Sequence, residues 1–221
     1  TFRNHISGTG ARQVVRHNAH GETHQLLIED SQFLDNNATA VVSYGEVNIF
    51  KRTLFERNRN GYWGPYIPLD TPFCIEHDFA PCAAGGGIFI GNYFSMPSMD
   101  PRTIIEDSQF IDNETLDYGG AVLFDGVRNC EETYSREGGA CDPEQSGPDI
   151  NLIVKGSIFR GNKSHRGAAV ALARRPQAQY LQKGNALIFD SVFEGNIAVA
   201  NPDVEPSDEP IKAGLHGPVV N

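Results

Sequence analysis

Apolar residues in this chain fall in short clusters, not in helical stripes. Five ten-residue segments carry the same order of apolar and polar positions: 27–36, 49–58, 104–113, 153–162 and 187–196. Each opens with two apolar residues and closes on Ser/Thr-x-Phe-x-x-Asn. Apolar positions do not recur at spacings of three and four over long windows, and Gly or Pro interrupts every twenty residues or so. That pattern predicts short strands with frequent turns.

Each column of the repeat has a physical reading. Phe33, Phe55, Phe110, Phe159 and Phe193 never vary, and five aromatics at one structural position are expected to stack as an internal ladder. Two residues earlier stands a small hydroxyl residue: Ser31, Thr53, Ser108, Ser157 or Ser191. Five residues earlier stand Ile28, Phe50, Ile105, Val154 and Ile188, side chains typical of strands. Three residues after Phe come Asn36, Asn58, Asn113, Asn162 and Asn196. Asn tolerates left-handed backbone and bonds nearby backbone groups, so this column is expected to mark a turn. Stacked amides would then form a second ladder.

A second motif of small residues followed by an apolar run appears at 85–90, 119–124 and 167–172, with a weaker copy at 217–220. It suits a tight corner leading into another strand. Phe33 and Phe55 lie 22 residues apart; the later intervals are 55, 49 and 34. The excess falls in loop-like stretches near 60–84, 93–102, 126–148, 174–183 and 201–210. Insertions that leave a repeat intact are what a solenoid allows, because each repeat touches only its neighbours. The expected fold is therefore all-β: a right-handed single-stranded parallel β-helix of the pectin-lyase-like kind, with about five to seven turns. Residues 1–25 are expected to form an irregular or partial first turn and residues 26–221 the helix proper. A propeller or antiparallel meander is the rival; against it, each repeat holds two or three recognisable strands where a blade needs four.

Composition adds a few bounds. Hydrophobic residues make up 39% and the net charge is -10. There is enough apolar material for a core, and the acidic balance argues against nucleic acid as a partner. No run of 18 apolar residues exists, so no membrane-spanning helix is expected. The sequence opens on Thr1 and stops inside a weak repeat copy, which suggests a fragment of a longer solenoid. Cys74 with Cys82, and Cys130 with Cys141, bracket two of the loop-like stretches. They read as two local disulfides and an oxidising compartment. Four free thiols, or zinc held by Cys74, His77 and Cys82, are the other readings.

Phe-x-x-Asn followed by Gly119-Gly120-Ala121-Val122 resembles the repeat of the chlamydial polymorphic outer-membrane proteins. All five Phe-x-x-Asn copies match over about residues 26–220, while only 119–122 matches the second half in full. The resemblance implies a right-handed β-helix acting as an adhesin or surface structure. Nothing resembles the membrane β-barrel of those proteins, so their secretion route is not implied.

The chemistry offers little beyond this. Asp30, Asp107 and Asp190 share a column with Arg52 and Gly156; in the simplest stacking Asp30 faces Arg52, so no carboxylate pair forms for acid–base work. His17, His20 and His24, with His5 upstream, could hold a transition metal on a helix, but Gly21 and the polar residues around it favour a loop. Asn37, Asn113 and Asn162 head Asn-x-Ser/Thr sequons. Asn113 and Asn162 are ladder positions, which leaves Asn37 as the better acceptor. Tyr62, Trp63, Tyr66 and Phe73 crowd the first long loop, to pack on its flank or to stack on sugar rings. No catalytic residue, metal site or cofactor is expected. The expected role is an extracellular structural or adhesive module of a cell-surface or filamentous assembly. Its partners would be other subunits or copies of itself, joined through uncapped ends, with surface glycans as a further option. The alternative is a polysaccharide-binding or polysaccharide-cleaving protein.

Overall fold

The computed structural model describes residues 1–5, 13–17, 25–45, 47–60, 86–91, 102–115, 119–125, 152–164, 167–173 and 186–198. The four cysteines, His20, His24, His77, the aromatic residues 62, 63, 66 and 73, the 217–220 copy and nearly all of the expected insertions lie outside them.

The described residues are all-β, and no helix occurs among them. The strands in chain order are β1 (Phe2–Arg3), β2 (Gln13–His17), β3 (Gln25–Glu29), β4 (Gln32–Leu34), β5 (Thr39–Ser43), β6 (Val47–Lys51), β7 (Leu54–Glu56) and β8 (Arg59–Asn60). They continue with β9 (Ile88–Gly91), β10 (Arg102–Glu106), β11 (Gln109–Ile111), β12 (Glu114–Thr115), β13 (Val122–Asp125) and β14 (Leu152–Lys155). The last six are β15 (Ile158–Arg160), β16 (Lys163–Ser164), β17 (Val170–Ala173), β18 (Ala186–Phe189), β19 (Val192–Glu194) and β20 (Ile197–Ala198).

These strands form four sheets, and every pairing is parallel. Sheet A is β3-β6-β10-β14-β18, sheet B is β1-β4-β7-β11-β15-β19, sheet C is β8-β12-β16-β20, and sheet D is β2-β5-β9-β13-β17. From β6 onward the chain visits A, B, C and D in that order, then returns to A beside its own previous strand; the earlier circuit β3–β4–β5 has no strand in C. Register is set by identical columns: Phe33 pairs with Phe55, Phe55 with Phe110, Phe110 with Phe159, and Phe159 with Phe193. A slip of one residue would turn every buried side chain outward, so the alternation of buried and outward positions fixes that register.

Three circuits, β6–β9, β10–β13 and β14–β17, hold four strands each, and β3–β4–β5 holds three. Sheet C strands are two residues long, below what an alternating pattern can reveal. Strand count therefore does not separate this architecture from a propeller blade; the parallel pairing does.

The core lies between the sheets. Phe33, Phe50, Phe55, Ile88, Ile90, Ile105, Phe110, Val122, Phe124, Leu152, Val154 and Phe159 are all fully buried. The small residues that precede sheet D are needed for close approach. A Cβ on Gly86 would lie 2.6 Å from the Gly120 carbonyl oxygen and 2.8 Å from that of Glu114; one on Gly120 would lie 2.6 Å from that of Lys163. Backbone cannot yield as a side-chain tip can, so these two positions exclude larger residues.

Candidate functional site

Three columns run through the stack as continuous arrays. The phenylalanine rings stack nearly parallel, with centroids 4.7–5.0 Å apart and interplanar angles of 2–7°. The array begins one circuit earlier than the repeat suggests. Phe2 pairs with Phe33 and stacks on it at 4.7 Å. Its circuit carries His5 where the others carry Asn, which hides it from a Phe-x-x-Asn pattern.

The asparagine column is a hydrogen-bonded chain. Asn36 Nδ2 donates to Asn58 Oδ1 at 2.7 Å, Asn58 to Asn113 at 3.0 Å, Asn113 to Asn162 at 3.1 Å, and Asn162 to Asn196 at 2.8 Å. Each Nδ2 also donates to the carbonyl of the preceding circuit's phenylalanine, as Asn113 does to Phe55 at 2.9 Å. Each Oδ1 from Asn113 onward accepts the backbone N–H of the preceding Asn as well. Asn58, Asn113 and Asn162 are fully buried, so the cost of desolvating an amide is met by a complete set of partners.

The hydroxyl column forms a third array. Ser108 Oγ donates to the Glu106 carbonyl at 2.9 Å and accepts the Thr53 N–H at 3.2 Å; Ser157 accepts the Ser108 N–H, and Ser191 the Ser157 N–H, at the same distance. Sequence alone marks this column only as small and polar.

The left-handed corners are not at the asparagines. Positive φ falls one residue before Asn, at Asp35 (54°), Arg57 (52°), Asp112 (52°), Gly161 (63°) and Gly195 (61°). It falls again one residue before the hydroxyl column, at Asp30 (50°), Arg52 (47°), Asp107 (49°), Gly156 (58°) and Asp190 (51°). Asp and Gly tolerate this conformation, whereas Arg does not favour it. The two arginines are held by ion pairs across the stack. Arg52 is bidentate to Asp30 at 2.7 and 2.9 Å and also reaches Glu29; Arg57 grips Asp35 and Glu56. These guanidinium hydrogen bonds lower the Asp30 and Asp35 carboxyls below their ordinary value, against a smaller opposing effect of desolvation. Glu106 is lowered in the same way, by its hydrogen bond to Lys51 first and by Lys155 after it.

The other expected residues are placed as follows. Asp30 and Asp107 are separated by Arg52, and Asp107 and Asp190 by Gly156, so no two carboxylates of that column are adjacent. His5 follows β1, and His17 ends β2 with Nδ1 3.0 Å from Ser43 Oγ. Ser43 is fully buried and donates to Asn48 Oδ1, so it is neither reachable nor activated as a nucleophile. Among the described residues, no group of three His, Cys, Asp or Glu side chains gathers to hold a metal. No described helix is long and apolar enough to cross a membrane. Asn37 is exposed beside a shallow depression lined by Asp35, Asn36, Arg57 and Arg59.

The circuits at the two ends of the described stack differ from those between them: Phe2 in β1 is 43% exposed, and the β18–β20 circuit is open as well. Ile188 is 41% exposed and Phe193 45%, although they stand in columns that are fully buried at Ile105 and Phe110. Comparison with protein-family models, with curated proteins and with solved structures gives no match for this chain.

Proposed function

We propose that this chain is a right-handed parallel β-helix of the polymorphic outer-membrane protein repeat type, serving as an extracellular structural or adhesive module that assembles through the edges of its stack. Parallel pairing with like columns in register supports the helix. The observation that carries the assembly is the outward side of the β18–β20 circuit. There, core-column side chains and strand edges that have no partner among the described residues are presented together, which is the arrangement that accepts another strand layer. The ladders support a mechanical role, since each inner ring and amide, from Phe33 to Phe159 and from Asn58 to Asn162, is held by the circuits on both sides.

Light scattering of the native chain, set against its denatured intact mass, tests this reading. Assemblies larger than one chain, reduced by Phe193→Asp, are expected. A monodisperse single chain that resists further association at high concentration would overturn the reading. If the chain is secreted by a glycosylating host, glycan belongs on Asn37 alone. Both Nδ2 hydrogens of Asn113 and of Asn162 are spent inside the stack. Peptide mapping before and after enzymatic deglycosylation reads this directly.

A further inference from the structure

The two left-handed corners of each circuit donate forward along the stack. At the first, the N–H of Asp30, Arg52, Asp107 and Gly156 each gives to a carbonyl of the following circuit; at the second, the N–H of Asp35, Arg57, Asp112 and Gly161 does the same. The next residue at each corner gives to a side chain instead. Ser157 N–H donates to Ser191 Oγ at 3.2 Å. Asn162 donates both its N–H, at 3.1 Å, and an Nδ2 hydrogen, at 2.8 Å, to Asn196 Oδ1. The β18–β20 circuit carries the same donors: the N–H of Asp190, Ser191, Gly195 and Asn196, and the second Nδ2 hydrogen of Asn196. None of them meets an acceptor among the described residues. Between them lies Phe193, stacked on Phe159 on one side and 45% exposed.

These donors differ in what they demand. Any extended chain offers backbone carbonyls, so Asp190 and Gly195 accept any strand. Ser191 and Asn196 are selective. They need a side-chain oxygen two residues before an aromatic ring and an amide oxygen three residues after it. A strand without those oxygens would strip water from the donors and leave them unpaired. We infer that the β18–β20 edge is a sequence-selective docking site for a parallel segment carrying Ser/Thr-x-Phe-x-x-Asn, supplied by the leading circuit of another chain of this repeat type. The inference rests on the edge association proposed above and names its partner. This chain's own leading circuit matches less well. It offers Phe2 to the ring column but His5 at the asparagine position, where His5 N–H donates to Asn36 Oδ1. An imidazole nitrogen has one lone pair where an amide oxygen has two, so it cannot accept both Asn196 donors. A second copy therefore docks more weakly than a chain whose motif is intact.

The test is fluorescence anisotropy of a dye-labelled peptide of residues 152–164, titrated with the full chain to about 1 mM, a range that reads weak association. The peptide spans β14, β15 and β16, holds Ser157, Phe159 and Asn162, and sets no acidic residue against Asp190 or Glu194. Saturable binding is expected, lost in Phe193→Asp chain. Peptides with Asn162→Ala or Asn162→His should each bind about tenfold more weakly, and one with Ser157→Ala severalfold more weakly. These changes lie in the peptide, so the folding of the chain is untouched. Benzoylphenylalanine in place of Phe159 should cross-link to residues 186–198 and not to residues 2–5. No binding, equal binding of the altered peptides, or cross-links elsewhere would overturn the inference. Copies that assemble while the intact peptide goes unbound would sink it and leave edge association standing. A single-chain species that binds the intact peptide selectively would uphold it and remove self-assembly.

Discussion

Phe110 and Phe193 occupy one column of one sheet, stack on a neighbouring ring at the same spacing, and follow the same hydroxyl residue two positions before. Yet Phe110 is fully buried and Phe193 is 45% exposed. The circuit containing Phe110 has partners on both sides; among the described residues, the circuit containing Phe193 has them on one. Two segments with the same motif thus differ in what they contribute, because burial in a stack is set by neighbours and not by the residue itself. Among the described residues, the inner circuits bury these columns from both sides, and the β18–β20 circuit carries the surface proposed to associate.

The ring columns test this most severely. Phe110→Ala should cost about 3–5 kcal/mol in denaturant unfolding, from lost burial, a cavity and two broken stacks. Phe193→Ala should cost about 1–2 kcal/mol, since one face of the ring is already wet. Equal losses would break the comparison and show that something covers Phe193 in solution.

The amides come next. Asn113→Ala removes four hydrogen bonds and leaves the Asn58 N–H and one Nδ2 hydrogen of Asn58 without partners in the core, at about 2–4 kcal/mol. Asn196→Ala frees groups of Asn162 that water can reach, and about 1 kcal/mol is expected. Thermal unfolding of the two variants in parallel checks the ratio.

The corner ion pairs should have the smallest effect, for they are exposed and screened. Because the Asp30 and Asp35 carboxyls are lowered in the folded state, their contribution is fully present above the ordinary carboxylate value. It is lost as pH falls below about 4 and through the lowered folded values. Arg52→Met with Arg57→Met should flatten the fall of the melting temperature between neutral and acid pH, and added salt should do the same in the parent chain. An unchanged acid limb would mean that the pairs contribute nothing to the folded state.

What could be read in the sequence follows from what repeats. The Phe, Asn and hydroxyl columns recur at fixed offsets whatever the insertion length, so their identity is visible without coordinates. Phe2 escaped because its circuit ends in His5, leaving one matching residue of the motif. The left-handed corners escaped because Asp, Arg and Gly alternate there, and Arg52 and Arg57 are not residues that announce positive φ. Sheet C escaped because strands of two residues have no period. The outward aliphatic column of sheet A, Leu27, Ile49, Ile104, Ile153 and Leu187, was written in plain view as the first residue of each segment, but two adjacent apolar residues do not say which of them faces the core.

The sequence by itself determined which residues share a column, since a repeat assigns equivalent residues equivalent places. It also determined that the chain must turn often, through its Gly, Pro and Asn content. Only the tertiary structure decided that the strands pair in parallel, four to a complete circuit, and that Asp30 and Asp35 are each gripped by an arginine from the adjoining circuit. It alone decided that Phe2 and Phe193, at the two ends of the described phenylalanine column, are exposed while the rings between them are buried. These properties depend on contacts between residues 22 to 55 positions apart, and a chain specifies such contacts only once its backbone has closed the distance.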